Sequence, residues 1–185
     1  MSLHRRAVLA AAALALAAGL ASPPPAAAKS AEEIEARVDR ALVELRETVP
    51  GASELLDGAK GVLIMPNVVK GGLVLGGAYG EGALRVGGAT VGYYSVAAAS
   101  FGLQIGVQTT KQALFFMTES ALEGFRRSDG WEIGADAEVT VPGDGLSAQL
   151  NTTTERNPII GVVFGQDGFL AGASLEGAKY SPISR

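Results

Sequence analysis

Glycine is concentrated in one apolar stretch of this chain, residues 71–107. The stretch holds eleven of the 25 glycines, and most residues between them are leucine, valine, alanine or aromatic. Within residues 101–107, bulky apolar residues alternate with glycine or glutamine, which on a strand gives one bulky face and one nearly bare face. Glycine weakens a strand and is tolerated where a sheet bends sharply or another group lies against its backbone. The stretch therefore predicts a strongly curved, barrel-like antiparallel sheet.

Three helices are predicted around this sheet. Ser30 and Glu33 have the spacing of a capping box, and apolar residues then recur at helical spacing as far as Val49, which predicts an amphipathic helix of about 18 residues. Pro50-Gly51 ends this helix. The two other helices are predicted at Ser53–Lys60 and at Glu119–Arg127, where Thr118 is a candidate N-cap.

The rest of the chain predicts about nine or ten strands, which makes the fold class α+β. Gly87-Gly88 between two apolar runs is typical of a two-residue hairpin, and Pro66-Asn67 is predicted to end the first strand. Trp131–Val141 alternates apolar and polar residues, which predicts a half-exposed strand. The predicted strands are Gly61–Met65, Leu73–Tyr79, Gly82–Val86, Thr90–Ala98, Phe101–Thr109, Gln112–Met117, Trp131–Val141, Leu146–Thr152, Pro158–Phe164 and Phe169–Leu175.

Residues 1–28 have the composition of a secretory signal peptide. Arg5-Arg6 precedes the apolar run Ala7–Ala21, and small residues follow at the end of the segment. About 15 apolar residues are fewer than the roughly 20 that a membrane-spanning helix needs, and a retained membrane anchor is the alternative. The arginine pair also resembles a twin-arginine export signal, with the route of export left open.

Cleavage is predicted between Ala28 and Lys29, which leaves a single domain at residues 29–185. The helices would occupy residues 29–60 and the curved sheet residues 61–185. Without Arg5 and Arg6 the formal charge changes from −4 to −6. An acidic chain is a poor partner for nucleic acid and has no general attraction to anionic membranes. The predicted location is the periplasm or cell envelope.

The chain has no cysteine, and its one histidine, His4, lies in the predicted signal peptide. The predicted mature domain therefore lacks disulfides, zinc sites of the usual kind, and Ser-His-Asp or Cys-His catalysis. Carboxylate pairs, Ser-Lys chemistry and all-oxygen metal sites remain possible for an enzyme. No cofactor and no metal site is predicted.

Glu81 is the candidate for carboxylate chemistry, with Asp136 or Glu138 as its partner. The alternative is an exposed acid on a hairpin. The segment Gly77–Gly82 reads G-x-x-G-x-G, and no helix pattern follows it, so it does not predict a nucleotide site.

Cations flank the glycine-rich strands, and bare glycine faces beside a cation would suit an acyl chain with an anionic head group. Exposed cations without a ligand are the alternative. Adjacent tyrosines at Tyr93 and Tyr94 put one phenol on each strand face, either for ligand contact or for packing. The first helix is net acidic, which favours packing on the sheet over binding an anionic membrane. The candidate lipid-binding residues are Lys60, Lys70, Arg85, Tyr79, Tyr93 and Tyr94.

Six blocks of sequence cover nearly all of the predicted mature chain. They are AKGVLIMPNVVKGG (Ala59–Gly72), GGAYGEGAL (Gly76–Leu84), TVGYYSVAAASFGLQIGVQ (Thr90–Gln108), LFFMT (Leu114–Thr118), SDGWEIGADA (Ser128–Ala137) and FLAGASLEGAK (Phe169–Lys179). Together and in this order they resemble the SYLF-domain family. The resemblance implies a lipid-binding domain. Eukaryotic relatives bind phosphoinositides and some bind actin filaments, with roles in endocytosis, and bacterial members are exported proteins.

In the eukaryotic relatives, lipid binding is attributed to a basic amphipathic segment at the N-terminus of the domain. The corresponding helix, Ser30–Val49, is net acidic, and an exported protein has no access to actin. These departures argue against phosphoinositide and actin binding. The expectation is a non-enzymatic envelope protein that contacts a phospholipid or fatty acid. The alternatives are a structural or protein-interaction module without a lipid ligand, and a carboxylate-dependent hydrolase. The oligomeric state is not predicted.

Overall fold

The computed structural model describes residues 29–72, 75–101, 107–140, 158–165, 168–169 and 175–185. Its helices are α1 (Ala31–Thr48), α2 (Ala52–Gly58) and α3 (Glu119–Arg127). Its strands are β1 (Gly61–Gly72), β2 (Leu75–Val86), β3 (Ala89–Phe101), β4 (Val107–Phe116), β5 (Trp131–Glu132), β6 (Ile159–Gly165), β7 (Gly168–Phe169) and β8 (Lys179–Ile183). The strands form one curled antiparallel half-barrel in the order β5-β8-β3-β2-β1-β4-β6-β7. The α+β class and the three helices are confirmed.

Helix α1 begins at the predicted capping box. The Ser30 hydroxyl oxygen accepts a hydrogen bond from the Glu33 backbone N–H at 3.2 Å, which satisfies one of the free N–H groups of the first turn. The buried residues of the helix are spaced three or four apart, so they form one stripe that packs on the sheet. Helix α3 is capped in the same way, because the Thr118 hydroxyl accepts a hydrogen bond from the Ala121 N–H. None of the described helices is both long and apolar enough to cross a membrane.

The sheet buries side chains on both of its faces. The face that we call the helix face packs against α1 and α2 with residues that include Ile64, Ala83 and Phe115. The opposite face packs against α3, whose Phe125 ring lies at the centre of an aromatic cluster. Its centroid is 4.8 Å from the rings of Tyr94 and Phe116, 5.4 Å from Trp131 and 6.4 Å from Tyr180.

The prediction that Pro66-Asn67 ends the first strand is wrong, because β1 continues to Gly72. The pairing of β1 shifts register between Ile64 and Val68 against β2, which marks a bulge. A similar shift occurs against β4. A proline has no N–H to donate to the ladder, so a bulge is one of the few strand positions that accept it.

The segments predicted as separate strands at Leu73–Tyr79 and Gly82–Val86 form one strand in the structure, β2. Their glycines are not turn residues. Gly80 and Gly82 lie beneath the β1 bulge, and a Cβ added at Gly82 would run into the carbonyl oxygen of Ile64 and lie 2.7 Å from the Met65 Sδ. A Cβ at Gly80 would lie 2.7 Å from the carbonyl oxygen of Asn67. Glycine is therefore required here because the backbone of β1 comes unusually close.

Other strand boundaries also differ from the prediction. β3 ends at Phe101 and β4 runs from Val107 to Phe116, so the boundary predicted between Phe101–Thr109 and Gln112–Met117 is wrong. β8 was not predicted, although it pairs with β3 over five residues. The hairpin at Gly87-Gly88 is confirmed, with positive φ angles of 57° and 82° that glycine adopts without strain.

The predicted strand Trp131–Val141 is largely wrong. Only Trp131–Glu132 is paired as a strand. Gly134 then has a φ of 91°, and the Glu132 N–H donates to the Asp136 carboxylate at 2.7 Å, so the chain turns instead of continuing. Val141, the predicted strand Leu146–Thr152 and most of Phe169–Leu175 lie outside the described residues. The predicted total of nine or ten strands is therefore not confirmed.

Candidate functional site

Two of the candidate lipid-binding residues connect the sheet to α1. One guanidinium nitrogen of Arg85, Nη2, lies 2.6 Å from the Glu35 carboxylate and 2.7 Å from that of Asp39. The Tyr93 hydroxyl donates to the second oxygen of Glu35 at 2.9 Å. This hydrogen bond, with a smaller effect of burial, raises the pKa of Tyr93 above its usual value. Arg85 and Tyr93 thus hold the first half of α1 on the helix face.

Two other candidates take no part in these contacts. Tyr94 faces α3, and its ring is buried against Phe125, which raises the pKa of its phenol. Lys60 is exposed immediately before β1, and its backbone N–H donates to the carbonyl oxygen of Phe116. The six predicted residues therefore do not form a single site. Arg85 and Tyr93 share Glu35, whereas Lys70 and Tyr79 lie at the end of the β1–β2 pair that is far from the Gly87-Gly88 hairpin, on opposite faces of the sheet.

The expectation that Glu81 is an exposed hairpin acid is wrong, because its side chain is only 5% exposed. The carboxylate oxygen Oε1 accepts hydrogen bonds from the Arg185 guanidinium at 2.6 Å and from the Tyr79 hydroxyl at 2.9 Å. The other oxygen lies 3.9 Å from the Lys29 ammonium and has no hydrogen-bond partner among the described residues. We call Glu81, Arg185, Lys29 and Tyr79 the Glu81 cluster.

The charge state of Glu81 follows from these contacts. Burial by itself raises the pKa of the carboxyl, but the hydrogen bonds from Tyr79 and Arg185 and the positive charges of Arg185 and Lys29 outweigh it, so the pKa is lowered. Burial and the hydrogen bond to Glu81 raise the pKa of Tyr79. An ionised carboxylate held between two cations is poorly suited to act as a general acid or base at neutral pH. The contacts instead indicate a structural ion-pair cluster.

The Glu81 cluster lies at the boundary between a covered and an uncovered part of the helix face. Beyond it, towards residues 69–71 and 77–79, side chains on this face are exposed to solvent. Three of them are large and apolar: Val69 is 40% exposed, Tyr79 52% and Val107 77%. We call this patch the uncovered strip, and it consists of Val69, Tyr79, Ala97, Ala99, Val107 and Thr109.

The idea of a bare glycine face open to an acyl chain does not fit four of the described glycines of the sheet. The positions under Gly80 and Gly82 are filled by β1, and a Cβ at Gly161 would lie 2.6 Å from Leu175 and 2.7 Å from Val139. A Cβ at Gly61 would lie 2.8 Å from Leu122. At these four positions the chain's own atoms occupy the space that a ligand would need.

Sequence reasoning missed the partners of Glu81. Arg185 is 104 residues from Glu81 along the chain, and Lys29 is predicted to be the first residue after signal-peptide cleavage. No spacing rule connects residues so far apart. The acid was found from its position in the glycine-rich stretch, but its burial depends on Lys29 and Arg185, which are distant from it in the chain. Ala28, the other residue of the predicted cleavage site, lies outside the described residues.

Arg85 allows a test of how α1 is held. Replacing Arg85 with alanine removes the cation shared by Glu35 and Asp39, and we expect the free energy of unfolding to fall by about 1–2 kcal/mol. Arg127 offers a matched control, since its pair with Glu123 is exposed and within one helix. Arg127→Ala should cost less than about 0.5 kcal/mol. Urea denaturation measures both values, and equal losses in the two variants would contradict this role for Arg85.

Comparison with protein families gives a match over the C-terminal part of the chain. Residues 97–184 match the family described as Ysc84, Las17-binding protein actin regulator, which is the SYLF domain. The matched region runs from the middle of β3 to the residue before Arg185. No curated protein matches the chain.

Proposed function

Since residues 97–184 match the SYLF-domain family, we propose that this protein is an exported, non-enzymatic lipid-binding protein of the periplasm or cell envelope. The family match is the observation that carries the proposal, because this family is associated with lipid- and actin-related binding modules. The signal-peptide pattern of residues 1–28 supports export. Because an exported protein has no access to actin, we propose lipid as its ligand.

The geometry supports a contact at the protein surface. Both faces of the central sheet are packed with the chain's own side chains, and the glycines beneath the β1 bulge are covered by β1. Helix α1 also differs from a membrane-binding helix, because its apolar stripe packs on the sheet. Three of its acids, Glu35, Asp39 and Glu44, form ion pairs with the sheet residues Arg85 and Lys111.

Vesicle binding tests this function. The protein is titrated with vesicles of phosphatidylglycerol and phosphatidylethanolamine, and we expect saturable binding. Lys70 is half-buried at the end of the sheet that carries the uncovered strip, on the opposite face, whereas Lys60 is exposed at the other end of β1. A basic residue near an anionic lipid surface contributes about 1 kcal/mol, so Lys70→Glu should weaken binding about fivefold or more.

Lys60→Glu makes the same change in charge and should bind like the wild type. Absence of saturable binding by the wild-type protein would contradict the proposed function. Capture of a defined protein partner without any lipid would instead favour the structural or interaction module. The N-terminus of each preparation is determined by intact-mass measurement, so that a retained apolar segment is recognised.

A further inference from the structure

We propose that the uncovered strip is the surface through which this protein contacts a lipid bilayer, with Val69, Tyr79 and Val107 entering the interfacial region. The inference rests on the proposed function and specifies its site. It assigns the contact to strand residues at one end of the sheet and not to helix α1.

The register of the strands makes the strip continuous. Val69 on β1 is paired with Tyr79 on β2 and with Thr109 on β4, and Tyr79 is paired in turn with Ala97 on β3. Directly paired residues of an antiparallel ladder point to the same face, with Cβ atoms about 5 Å apart. Val107 and Ala99 belong to the next row on the same face, both reached through glycines that are paired with each other. Four strands thus contribute to one patch.

The strip is uncovered because α1 does not extend over it. The described contacts of α1 with the sheet are made to Arg85, Tyr93 and Lys111 and to the apolar residues near them. At the N-terminal end of the helix, Lys29 lies beside Glu81, which is two residues from Tyr79 on β2. The covered part of the helix face therefore ends at the Glu81 cluster.

Charge near the strip is compatible with an anionic lipid head group, although the whole chain is acidic. The six strip residues carry no carboxylate, and the adjacent Glu81 is buried and paired with Arg185 and Lys29. Lys179 on β8 is paired with Ala97, in the row of paired residues that contains Tyr79. Glu132 on β5 is the next residue in this row. Of the acids of α1 that face the sheet, Glu35 and Asp39 pair with Arg85 towards the other end of the sheet. Glu44 pairs with Lys111, two residues from Thr109 on β4, so its charge beside the strip is neutralised.

The chemistry of the strip fits a lipid interface better than a second copy of the chain. A standard protein interface takes about 20–30 residues from each side, whereas the strip has only three large side chains among alanines and a threonine. Binding at a membrane interface scales with the apolar area that is buried, so a small apolar patch fits a shallow and reversible contact. Tyr79 has an apolar ring and a polar tip, which is the combination that is enriched at membrane interfaces. Its hydroxyl remains bonded to Glu81.

Matched aspartate substitutions test the assignment. Val69→Asp and Val107→Asp alter the strip, while Val43→Asp and Val91→Asp alter valines that are 52% and 43% exposed elsewhere. All variants are made in the full chain, so any contribution of the N-terminal segment is common to them. We expect each strip variant to lose at least tenfold in affinity for phosphatidylglycerol vesicles, and each control to stay within twofold of the wild type.

A fluorescent probe gives a second measurement that does not depend on the stability of the variants. The chain has no cysteine, so Val107→Cys and Val43→Cys can each be labelled at one site. We expect an environment-sensitive dye on residue 107 to shift to shorter wavelength with vesicles, and a dye on residue 43 to remain unchanged.

The outcomes separate this inference from the proposed function. If the wild type binds vesicles but the strip variants and the dyes behave like the controls, the strip is not the contact surface. If the wild type does not bind, the proposed function itself fails. If the strip variants instead convert a dimer into a monomer in sedimentation analysis with unchanged vesicle binding, the strip is the interface with a second copy of the chain.

Discussion

Gly82→Ala is expected to lower the free energy of unfolding by about 3 kcal/mol or more. The added Cβ would meet the carbonyl oxygen of Ile64, and it would lie 2.7 Å from the Met65 Sδ and 2.9 Å from the Ile64 carbonyl carbon. Real Cβ atoms essentially never show separations under 3.0 Å. The Ile64 carbonyl oxygen belongs to backbone that is held in the β1 ladder, so a change of rotamer cannot relieve this clash. Either the bulge or the pairing of β1 with β2 must shift.

Gly124→Ala is the control for this prediction. Gly124 lies within α3, and a Cβ there would meet nothing within 4 Å. Alanine in the interior of a helix is more favourable than glycine by about 1 kcal/mol, so this variant should be slightly more stable than the wild type. Urea denaturation measures both. A Gly82→Ala protein as stable as the wild type would show that β1 does not press against β2 as described.

Arg185→Ala is expected to cost about 3 kcal/mol, although it changes the last residue of the sequence. The variant leaves the buried Glu81 carboxylate without its closest cation, and removing one partner of a buried ion pair usually costs about 3–5 kcal/mol. Glu81 keeps its hydrogen bond from Tyr79 and the more distant charge of Lys29, which places the expected loss at the lower end of that range.

A double-mutant cycle isolates the interaction. In a Glu81→Gln background no buried carboxylate is left unpaired when Arg185 is removed, so adding Arg185→Ala should cost less than about 1 kcal/mol. If Arg185→Ala costs the same in both backgrounds, the ion pair makes no contribution and the side chain acts only through packing.

The pH dependence of the Arg185→Ala effect has a definite sign. The pKa of Glu81 in the folded wild type is lowered from its ordinary value of 4.5, so the ionised cluster contributes stability above that value. This contribution is lost as the pH falls through the folded pKa. The difference between wild type and Arg185→Ala should therefore be largest near neutral pH and should shrink in acid, where Glu81 is protonated in both proteins.

Local signals in the sequence were sufficient for the helices and for one hairpin. The capping residues Ser30 and Thr118 and the pair Gly87-Gly88 act within a few residues of themselves, so their effects are visible without the rest of the fold. The alternation of apolar and polar residues in Trp131–Val141 led to a wrong strand prediction. Gly134 and Asp136 support a turn, and a turn can carry the same alternating pattern as a strand.

The candidate site could be predicted only in fragments. Tyr79 and Lys70 were selected because they lie in glycine-rich strands, and they do lie at the same end of the sheet. Arg85 and Tyr93 were selected for the same reason, but α1 packs over them and supplies acids to both. Exposure decides between these two outcomes, and exposure depends on where the helix ends over the sheet.

The sequence by itself determined the α+β class, the amphipathic first helix, the lack of thiol and imidazole in the predicted mature domain, and a curled glycine-rich sheet. These properties follow from periodicity, capping and composition, which act locally. Only the tertiary structure decided that Gly80 and Gly82 make room for the β1 bulge, that Glu81 is buried between the distant cations Lys29 and Arg185, and that one end of the helix face is uncovered. Each of these depends on contacts between strands and helices that are distant in the chain, and the packing of the whole sheet sets them.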